Sequence, residues 1–257
     1  MSRFVAKSAF FVALSLGVCP FDIGAQALAE VENPVISSFD TAAHQQAAYR
    51  FAQVLRTRES VLAESRYTFT GALAAEMQAD PDIAELEADY PGITQHMLLK
   101  SQNEIERQVI ESLPELWTTM AELFVQAMTP AELADGYGYY SSPAGQRLVN
   151  SALQNFDYQT LTKVIVASPD AKISADDLDK SMRAGIPKTV AGMSSLDQAE
   201  LMAFSKTTAF SKIRELGPKV GQVAADWANK STPEEDKRIF DIMNTAVEEF
   251  IATADST

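Results

Sequence analysis

The 257-residue chain is acidic, because 35 Asp and Glu side chains outnumber 21 Lys and Arg and give a formal net charge of −14 at pH 7. This surplus argues against binding to nucleic-acid phosphates or to anionic lipid, since both need clustered basic residues. With 46% hydrophobic residues and one cysteine, the chain can build a sizeable core but cannot form an internal disulfide bond.

The first 29 residues have the order of features found in a secretory signal peptide. Arg3 and Lys7 precede an apolar run (8–18) that is too short to span a bilayer, and Ala27 and Ala29 then provide small-residue cleavage sites. We expect cleavage after Ala29 and an exported, periplasmic mature chain. Loss of this leader leaves 19 basic and 34 acidic residues, a net charge of −15.

Cys19 offers an alternative processing route. The stretch Leu16-Gly17-Val18-Cys19 stands where a bacterial lipoprotein carries its lipidated cysteine, although Val18 is branched where a small residue is usual. If cleavage follows Ala29, the mature chain has no cysteine, which excludes a thiol nucleophile and thiolate metal ligands. No run of 18 apolar residues follows the leader, so we expect no transmembrane segment in the mature chain.

The mature chain has the pattern of amphipathic helices almost throughout. Apolar residues recur at intervals of three and four, while Gly and Pro are sparse. Several helix starts pair a hydroxyl N-cap with a carboxylate three residues later, because both accept hydrogen bonds from N–H groups without partners in the helix. These caps are Thr129, Ser174, Ser194 and Thr232. The sequence therefore predicts an all-α protein, a multi-helix bundle.

We divide the mature chain into an N-terminal helical region (30–110), a central segment (111–168) and a C-terminal helical region (169–257). The least helical-looking stretches, 168–174 and 185–187, fall near the second division. The central segment contains a helix N-cap, an aromatic residue, a hydroxyl residue and a basic residue in that order, and the same order recurs 65 residues later. The equivalent pairs are Met128/Met193, Thr129/Ser194, Tyr139/Phe204, Ser142/Thr207, Ala144/Ala209, Arg147/Lys212 and Leu148/Ile213. The echo indicates two degenerate helical repeats, and the alternative is a chance likeness between capped amphipathic helices.

The stretch 128–148 forms a motif with structural rather than chemical content. We expect Thr129 and Glu132 to start a helix, Ser142 and Pro143 to end it and start the next, and a glycine to allow a close corner. The motif residues are Thr129, Glu132, Tyr139, Ser142, Pro143 and Gly145.

This motif, with the amphipathic helix before it, resembles the bacterial domain of unknown function family numbered 2059. The shared order is Thr-x-x-Glu-Leu, an aromatic pair, Ser-Pro-x-Gly and a basic residue, and it covers about 111–155. The resemblance implies an exported α-helical protein and no particular reaction. Gly136 and Gly138 depart from the family's usual helix formers, so we expect a softer helix at that point.

Patterns for catalysis or metal binding are weak, and we assign no catalytic, metal-binding or cofactor-binding residue. His44 and His96 are the only histidines and lack a zinc pattern, and no nucleophile elbow or phosphate-binding loop occurs. Glu132 and Asp135 lie on one helix face, as a glycosidase-type pair would require, but both also suit a helix N-terminus.

Tyrosines near the motif provide the candidate interaction surface. Tyr137 and Tyr140 are three residues apart on a helix, and we expect them to form the surface because tyrosine combines apolar area with a hydrogen-bonding tip. Tyr139 is expected to pack inside, because its counterpart Phe204 has no hydroxyl.

We therefore expect an exported, non-enzymatic helical protein of the cell envelope that binds an envelope protein or a small ligand. One alternative is an envelope hydrolase, which requires paired carboxylates with raised pKa values in a cleft. The other is a carrier, which requires an apolar cavity of several hundred Å³ between helices. A binding protein should instead show an exposed apolar and aromatic patch.

Overall fold

The computed structural model describes residues 38–166, 172–230 and 232–256, and in these stretches every helix or strand assigned is an α-helix. The predicted leader, including Cys19, lies outside them. The helices are α1 (Ser38–Leu55), α2 (Arg58–Ala79), α3 (Pro81–Asp89), α4 (Ile93–Ala127), α5 (Pro130–Ser141), α6 (Pro143–Gln154), α7 (Tyr158–Val166), α8 (Ala175–Ala191), α9 (Ser195–Phe204), α10 (Thr208–Ala228) and α11 (Pro233–Ala254). The prediction of an all-α bundle is confirmed.

The longest helix, α4, has 35 residues and forms the centre of the bundle. Its length is about 50 Å at the rise of an α-helix. Helices α1, α2, α3, α10 and α11 pack against it. Its buried apolar residues recur at helical spacing and include Ile93, Met97, Ile105, Val109, Leu113, Leu116, Met120 and Phe124. A helix with such a stripe is stabilised mainly by the helices that pack against the stripe and bury it.

The main core draws on α1 to α6 and on α9 to α11, and therefore on all three regions that we divided by sequence. The division between residues 110 and 111 falls inside α4, so the first two regions share one helix. A smaller apolar cluster lies where α7, α8 and α10 meet, and includes Tyr158, Leu161, Leu178 and Met182. Among the described residues, no helix is long and apolar enough to cross a membrane.

Helix starts follow the capping chemistry read from the sequence. Thr129, Ser174 and Thr232 each form a full capping box, and the Ser194 hydroxyl accepts from the N–H group of Asp197. Each such cap contributes about 1 kcal/mol to stability, because it satisfies N–H groups that the helix itself leaves free. The four predicted caps are confirmed.

The corner between α5 and α6 depends on Ser142 and Gly145. Ser142 ends α5 and its Oγ accepts from the N–H group of Gly145 at 3.1 Å. A Cβ atom added to Gly145 would lie only 2.1 Å from the backbone oxygen of Tyr139. The predicted close approach is confirmed, and it is the reason that this position requires glycine.

The stretch Gly185-Ile186-Pro187 lies inside α8, so the expectation of a helical break there is wrong. A Cβ atom on Gly185 would lie 2.3 Å from the backbone oxygen of Asn155, at the end of α6. This glycine therefore serves close helix packing rather than a turn. Pro187 removes one backbone donor from α8, and tertiary packing of the helix outweighs that loss.

The two copies of the 65-residue echo pack against each other. Tyr139 and Phe204, which occupy equivalent positions, stack with ring centroids 4.2 Å apart and an interplanar angle of 9°. Helix α5 packs on α10, and in the reciprocal arrangement α6 packs on α9. Across the second contact, Arg147 makes two hydrogen bonds to Asp197. Duplication itself stays a prediction, but the two copies form one structural unit.

A buried ion pair fixes the turn between α1 and α2. Nη1 and Nη2 of Arg56 donate to the two carboxylate oxygens of Glu64 at 2.8 and 2.7 Å, and both side chains are at most 1% exposed. The backbone oxygen of Arg56 also accepts from Nε1 of Trp117 at 2.7 Å, which ties the turn to α4. Bidentate geometry gives such a pair its strength, and burial makes its loss costly.

Substitution by alanine should have opposite effects at two of the three glycines in α5 and α6. Gly145→Ala should lower the free energy of unfolding by about 1–3 kcal/mol, because the new methyl group overlaps the Tyr139 backbone. Gly138→Ala should raise it by about 0.5–1 kcal/mol, since its Cβ meets no atom within 4 Å and alanine favours the helix. Urea unfolding followed by circular dichroism measures both. Equal midpoints for the two variants would contradict this account of the corner.

Removing one partner of the buried ion pair should be far more harmful than removing a surface pair. We expect Glu64→Gln to lower the free energy of unfolding by about 3–5 kcal/mol, because Arg56 stays buried without its counter-charge. The double variant Arg56→Met/Glu64→Leu should lose less than this. Asp241→Asn is the control, since its pair with Lys237 is exposed, and it should stay within about 0.5 kcal/mol of wild type. Similar losses for Glu64→Gln and Asp241→Asn in urea unfolding would refute the prediction.

The Arg147–Asp197 pair should make the contact between the two copies sensitive to acid. Hydrogen bonds from Arg147 lower the pKa of Asp197 in the folded protein below the unfolded value of about 3.9. The resulting stability is complete above the unfolded pKa and is lost as the pH falls through the folded pKa. The stability difference between wild type and Asp197→Asn should thus be constant between about pH 5 and 7 and shrink below about pH 4. Denaturant unfolding at a series of pH values tests this, and a difference unchanged down to about pH 2 would disprove it.

Candidate functional site

The tyrosines predicted to form a surface are separated by the fold. Tyr137 is 43% exposed, as expected, but Tyr140 is only 6% exposed, so its assignment to the surface is wrong. Tyr140 lies at the α5–α6 corner, where the rings of Phe51 (6.1 Å between centroids) and Phe204 (5.8 Å) cover it. Tyr139 is buried as predicted and stacks on Phe204. The remaining motif residues form the helix caps and the corner.

Tyr137 belongs to an exposed stripe that recurs in the second copy. The stripe on α5 consists of Ala131, Ala134, Tyr137 and Gly138, and the one on α9 consists of Leu196, Ala199, Met202 and Ala203. Each member of the second set lies 65 residues after its counterpart in the first, and all eight are exposed. Both stripes are outer faces of single helices, so they offer apolar area without a concave site.

A concave site lies elsewhere, between α2 and α7. This groove has a volume of about 710 Å³, within the range typical of small-molecule sites. The helices come near each other at Gly71, where a Cβ atom would lie 3.8 Å from Oγ1 of Thr162. The lining residues are Arg66, Tyr67 and Gly71 from α2, and Tyr158, Gln159, Thr162 and Lys163 from α7.

Two tyrosines form the aromatic part of the groove. Tyr67 is 64% exposed, and its ring centroid lies 4.4 Å from that of Tyr158, with the rings tilted by 39°. Tyr158 itself is only 8% exposed. Burial raises the pKa of Tyr158, and the neighbouring Glu64 carboxylate raises it further. The phenol therefore stays protonated at physiological pH, and one ring supports the other while leaving much of Tyr67 open to solvent.

Positive charge comes from both walls of the groove. Arg66 donates from Nε and Nη2 to the carboxylate of Glu106 at 2.7 Å each, and these bonds lower the pKa of Glu106. Lys163 is exposed, and no described residue forms an ion pair with it. Among the described residues that line the groove, none is a carboxylate, histidine or cysteine. Glu106 balances the charge of Arg66, and Lys163 interacts electrostatically with the Asp157 carboxylate, so the groove and its surroundings carry little net charge.

A second groove lies between α1 and α4 and has a volume of about 630 Å³. Tyr49, Ala121 and Val125 are its less exposed lining residues, and the others are mostly exposed and polar. Those others are Ala42, Gln45, Gln46, Thr118, Glu122 and Gln126. Its volume is the several hundred Å³ expected of a carrier, and its rim carries amide side chains beside apolar residues.

Seven carboxylates in the described part of the chain have a lowered pKa, unlike the general acid of a paired-acid hydrolase. The largest cause each time is a hydrogen bond to the carboxylate. These residues are Glu87, Glu104, Glu106, Asp157, Asp176, Asp197 and Glu249. A general acid near neutral pH needs a raised pKa instead. Glu132, which we considered for this role, is held in its capping box.

The two histidines have structural surroundings. His44 is buried and its Nε2 lies 2.8 Å from the backbone oxygen of Met128, which links α1 to the start of the motif. His96 packs against the ring of Phe250, with centroids 5.4 Å apart. Within the three described stretches, no group of three His, Asp or Glu residues is close enough to hold a metal ion.

Sequence reasoning did not find the α2–α7 groove. Tyr67 and Tyr158 belong to different helices and share no motif, so only the fold brings them together. The available signal was the pair Arg66-Tyr67, a large aromatic beside a charged residue in a weakly amphipathic helix, and this signal is not specific.

Comparison of the chain with protein-family models, with curated proteins and with solved structures gave no match in any of the three. The resemblance to the family numbered 2059 therefore stays a prediction, and the features on which a function can be argued are those of the fold and its grooves.

Proposed function

We propose that this is an exported helical protein of the bacterial cell envelope, which binds a ligand without transforming it. The groove between α2 and α7 is the proposed binding site. Export is supported by the order of basic, apolar and small residues in 1–29. The family resemblance of the motif agrees with export and with the helical fold.

One observation carries the proposal: a large aromatic ring stays open to solvent at a concave site. Tyr67 is 64% exposed while Tyr158 holds it from one side in a groove of about 710 Å³. Exposed aromatic rings in pockets are favoured for binding, because tyrosine gives much contact area for little loss of conformational freedom. Tyr137 is less exposed and lies on a convex face, so it supports binding less well.

The lining also favours binding over catalysis. Acid–base or nucleophilic chemistry needs a group that can give up a proton or attack at neutral pH, usually a carboxylate, histidine, cysteine or activated hydroxyl. The lining offers two cations, two phenols, an amide and a hydroxyl. These groups can orient and hold a polar ligand.

Isolation of the protein from the periplasm, followed by native mass spectrometry, tests both halves of the proposal. The polypeptide mass should correspond to a chain that starts at Glu30, and a fraction of the wild-type protein should carry a bound species. Tyr67→Ala should lose that species, because the ring supplies most of its contact area. Tyr137→Ala is the matched control and should keep it.

Two results would contradict the proposal. A bound species that Tyr67→Ala keeps and Tyr137→Ala loses would place the site on the exposed face of α5. A polypeptide that still contains residues 1–29, or that carries lipid on Cys19, would refute cleavage after Ala29. Circular dichroism and thermal unfolding of both variants show whether any loss comes from misfolding.

A further inference from the structure

We infer that a second copy of this chain docks in the α1–α4 groove through the outer face of its α9. The docking residues are the exposed apolar stripe of that helix, Leu196, Ala199, Met202 and Ala203. This contact goes beyond the proposed function, because the α2–α7 groove takes no part in it. It follows from the shape of the α1–α4 groove, from the spacing of the stripe, and from one complementary pair of charges.

The α1–α4 groove is a seam between two antiparallel helices. His44, early in α1, contacts the backbone oxygen of Met128 just beyond the end of α4, whereas Tyr49, further along α1, packs against Trp117 with ring centroids 6.1 Å apart. The lining residues recur at intervals of three and four along both helices. A seam with this spacing accepts the apolar face of a third helix, which inserts side chains at positions i, i+3 and i+7.

The groove has room for such side chains. Small residues on both walls, Ala42 and Ala121, leave a volume of about 630 Å³ beside Tyr49 and Val125. Along α1 the lining extends from residue 42 to residue 49, which is about 10 Å at the rise of an α-helix. The groove therefore fits about two turns of a docked helix.

Helix α9 has the matching face. Leu196, Ala199 and Ala203 have the i, i+3, i+7 spacing, and from Leu196 to Ala203 the stripe is also about 10 Å long. Met202 lies beside them on the same face. Leu196 is 65% exposed and Met202 59%, so both large side chains are free to enter a groove. Docking removes this apolar area from water, which is the main favourable contribution to contacts of this kind.

The equivalent stripe on α5 is a poorer match. Its first position is Ala131 where α9 has Leu196, and its last is Gly138 where α9 has Ala203. Tyr137 is therefore its one large side chain, and it supplies a single anchor where α9 supplies two. The two copies of the echo differ in the feature that docking requires, so α9 is the helix that docks.

Charge also pairs the two surfaces. Among the described residues that line the α1–α4 groove, the one charged side chain is Glu122. Lys206 follows the end of α9, and its N–H group donates to the backbone oxygen of Ala203 at 3.3 Å, which keeps it beside the stripe. Both charged side chains are exposed, and neither forms an ion pair with another described residue. A second copy thus supplies an apolar face and a base to a groove that offers an apolar floor and an acid.

Sedimentation equilibrium of protein isolated from the periplasm tests the contact. Wild type should associate as its concentration rises, and Met202→Glu should weaken association at least about tenfold, because docking then buries an unpaired charge. Leu99→Glu is the matched control, since it places the same charge at an exposed apolar residue of α4 outside the groove, and it should associate as wild type does. Tyr137→Ala should also leave association unchanged. Circular dichroism checks that each variant is folded.

Charge reversal identifies the surface that receives α9. Glu122→Lys and Lys206→Glu should each weaken association about fivefold, because each brings like charges together at the contact. An equimolar mixture of the two variants should associate about as tightly as wild type, since every contact between unlike chains then joins opposite charges.

Each other outcome overturns a definite part of the inference. Wild type that stays monomeric up to about 1 mM refutes self-association. Met202→Glu that associates like wild type refutes docking through α9. A mixture that associates no more tightly than its two components refutes the α1–α4 groove as the receiving surface and indicates a contact between two α9 stripes instead. The proposed function is judged separately, by the species that co-purifies with wild type and by its loss in Tyr67→Ala.

Discussion

The apolar stripe of α4 is about 50 Å long, and the structure depends on keeping water away from it. The next longest helices in the described stretches, α2 and α11, have 22 residues each, so neither can cover it alone. Cover is therefore shared among helices that come before and after α4 in the chain. This sharing explains why a division into successive regions does not correspond to separate cores, and why the main core contains residues from both ends of the mature sequence.

Polar contacts connect the proposed binding groove to this core. Glu64, which pairs with the buried Arg56, belongs to the same helix as Arg66 and Tyr67, and its charge acts on Tyr158. The turn that contains Arg56 is also tied to α4, because Nε1 of Trp117 donates a hydrogen bond to the backbone oxygen of Arg56. A buried ion pair loses the hydration of both charges, so apolar residues of similar volume are often at least as stabilising. Its contribution is geometric, because two parallel hydrogen bonds allow few relative positions of the turn and α2. Rigid walls suit a site that must present an aromatic face without collapsing over it.

Local structure was predictable from the sequence where neighbouring residues determine it, and contacts between distant residues were not. The capping boxes at Thr129 and Thr232 depend on residues three apart, so the pattern sufficed. Burial of Tyr140 depends on Phe51 and Phe204, which lie far away in sequence, and the i, i+3 spacing to Tyr137 could not reveal them. Gly185 looked like a helix breaker because its role, close approach to the end of α6, exists only in the folded chain. For the same reason the candidate site escaped prediction, since its two tyrosines meet only through the packing of α2 on α7.

The stack between Tyr139 and Phe204 joins equivalent positions, and in a symmetric dimer a residue near the two-fold axis meets its own copy in this way. If both hairpins descend from one ancestral sequence, that ancestor could have associated as two identical chains before fusion. Fusion would then release each copy from the requirement to complement itself. The present chain has the asymmetry that such release allows: Arg147 pairs with Asp197, whereas the reciprocal residues have other partners, Lys212 with Glu215 and Glu132 with its own helix cap. On that hypothesis, one half of a self-complementary contact became free to change without the other.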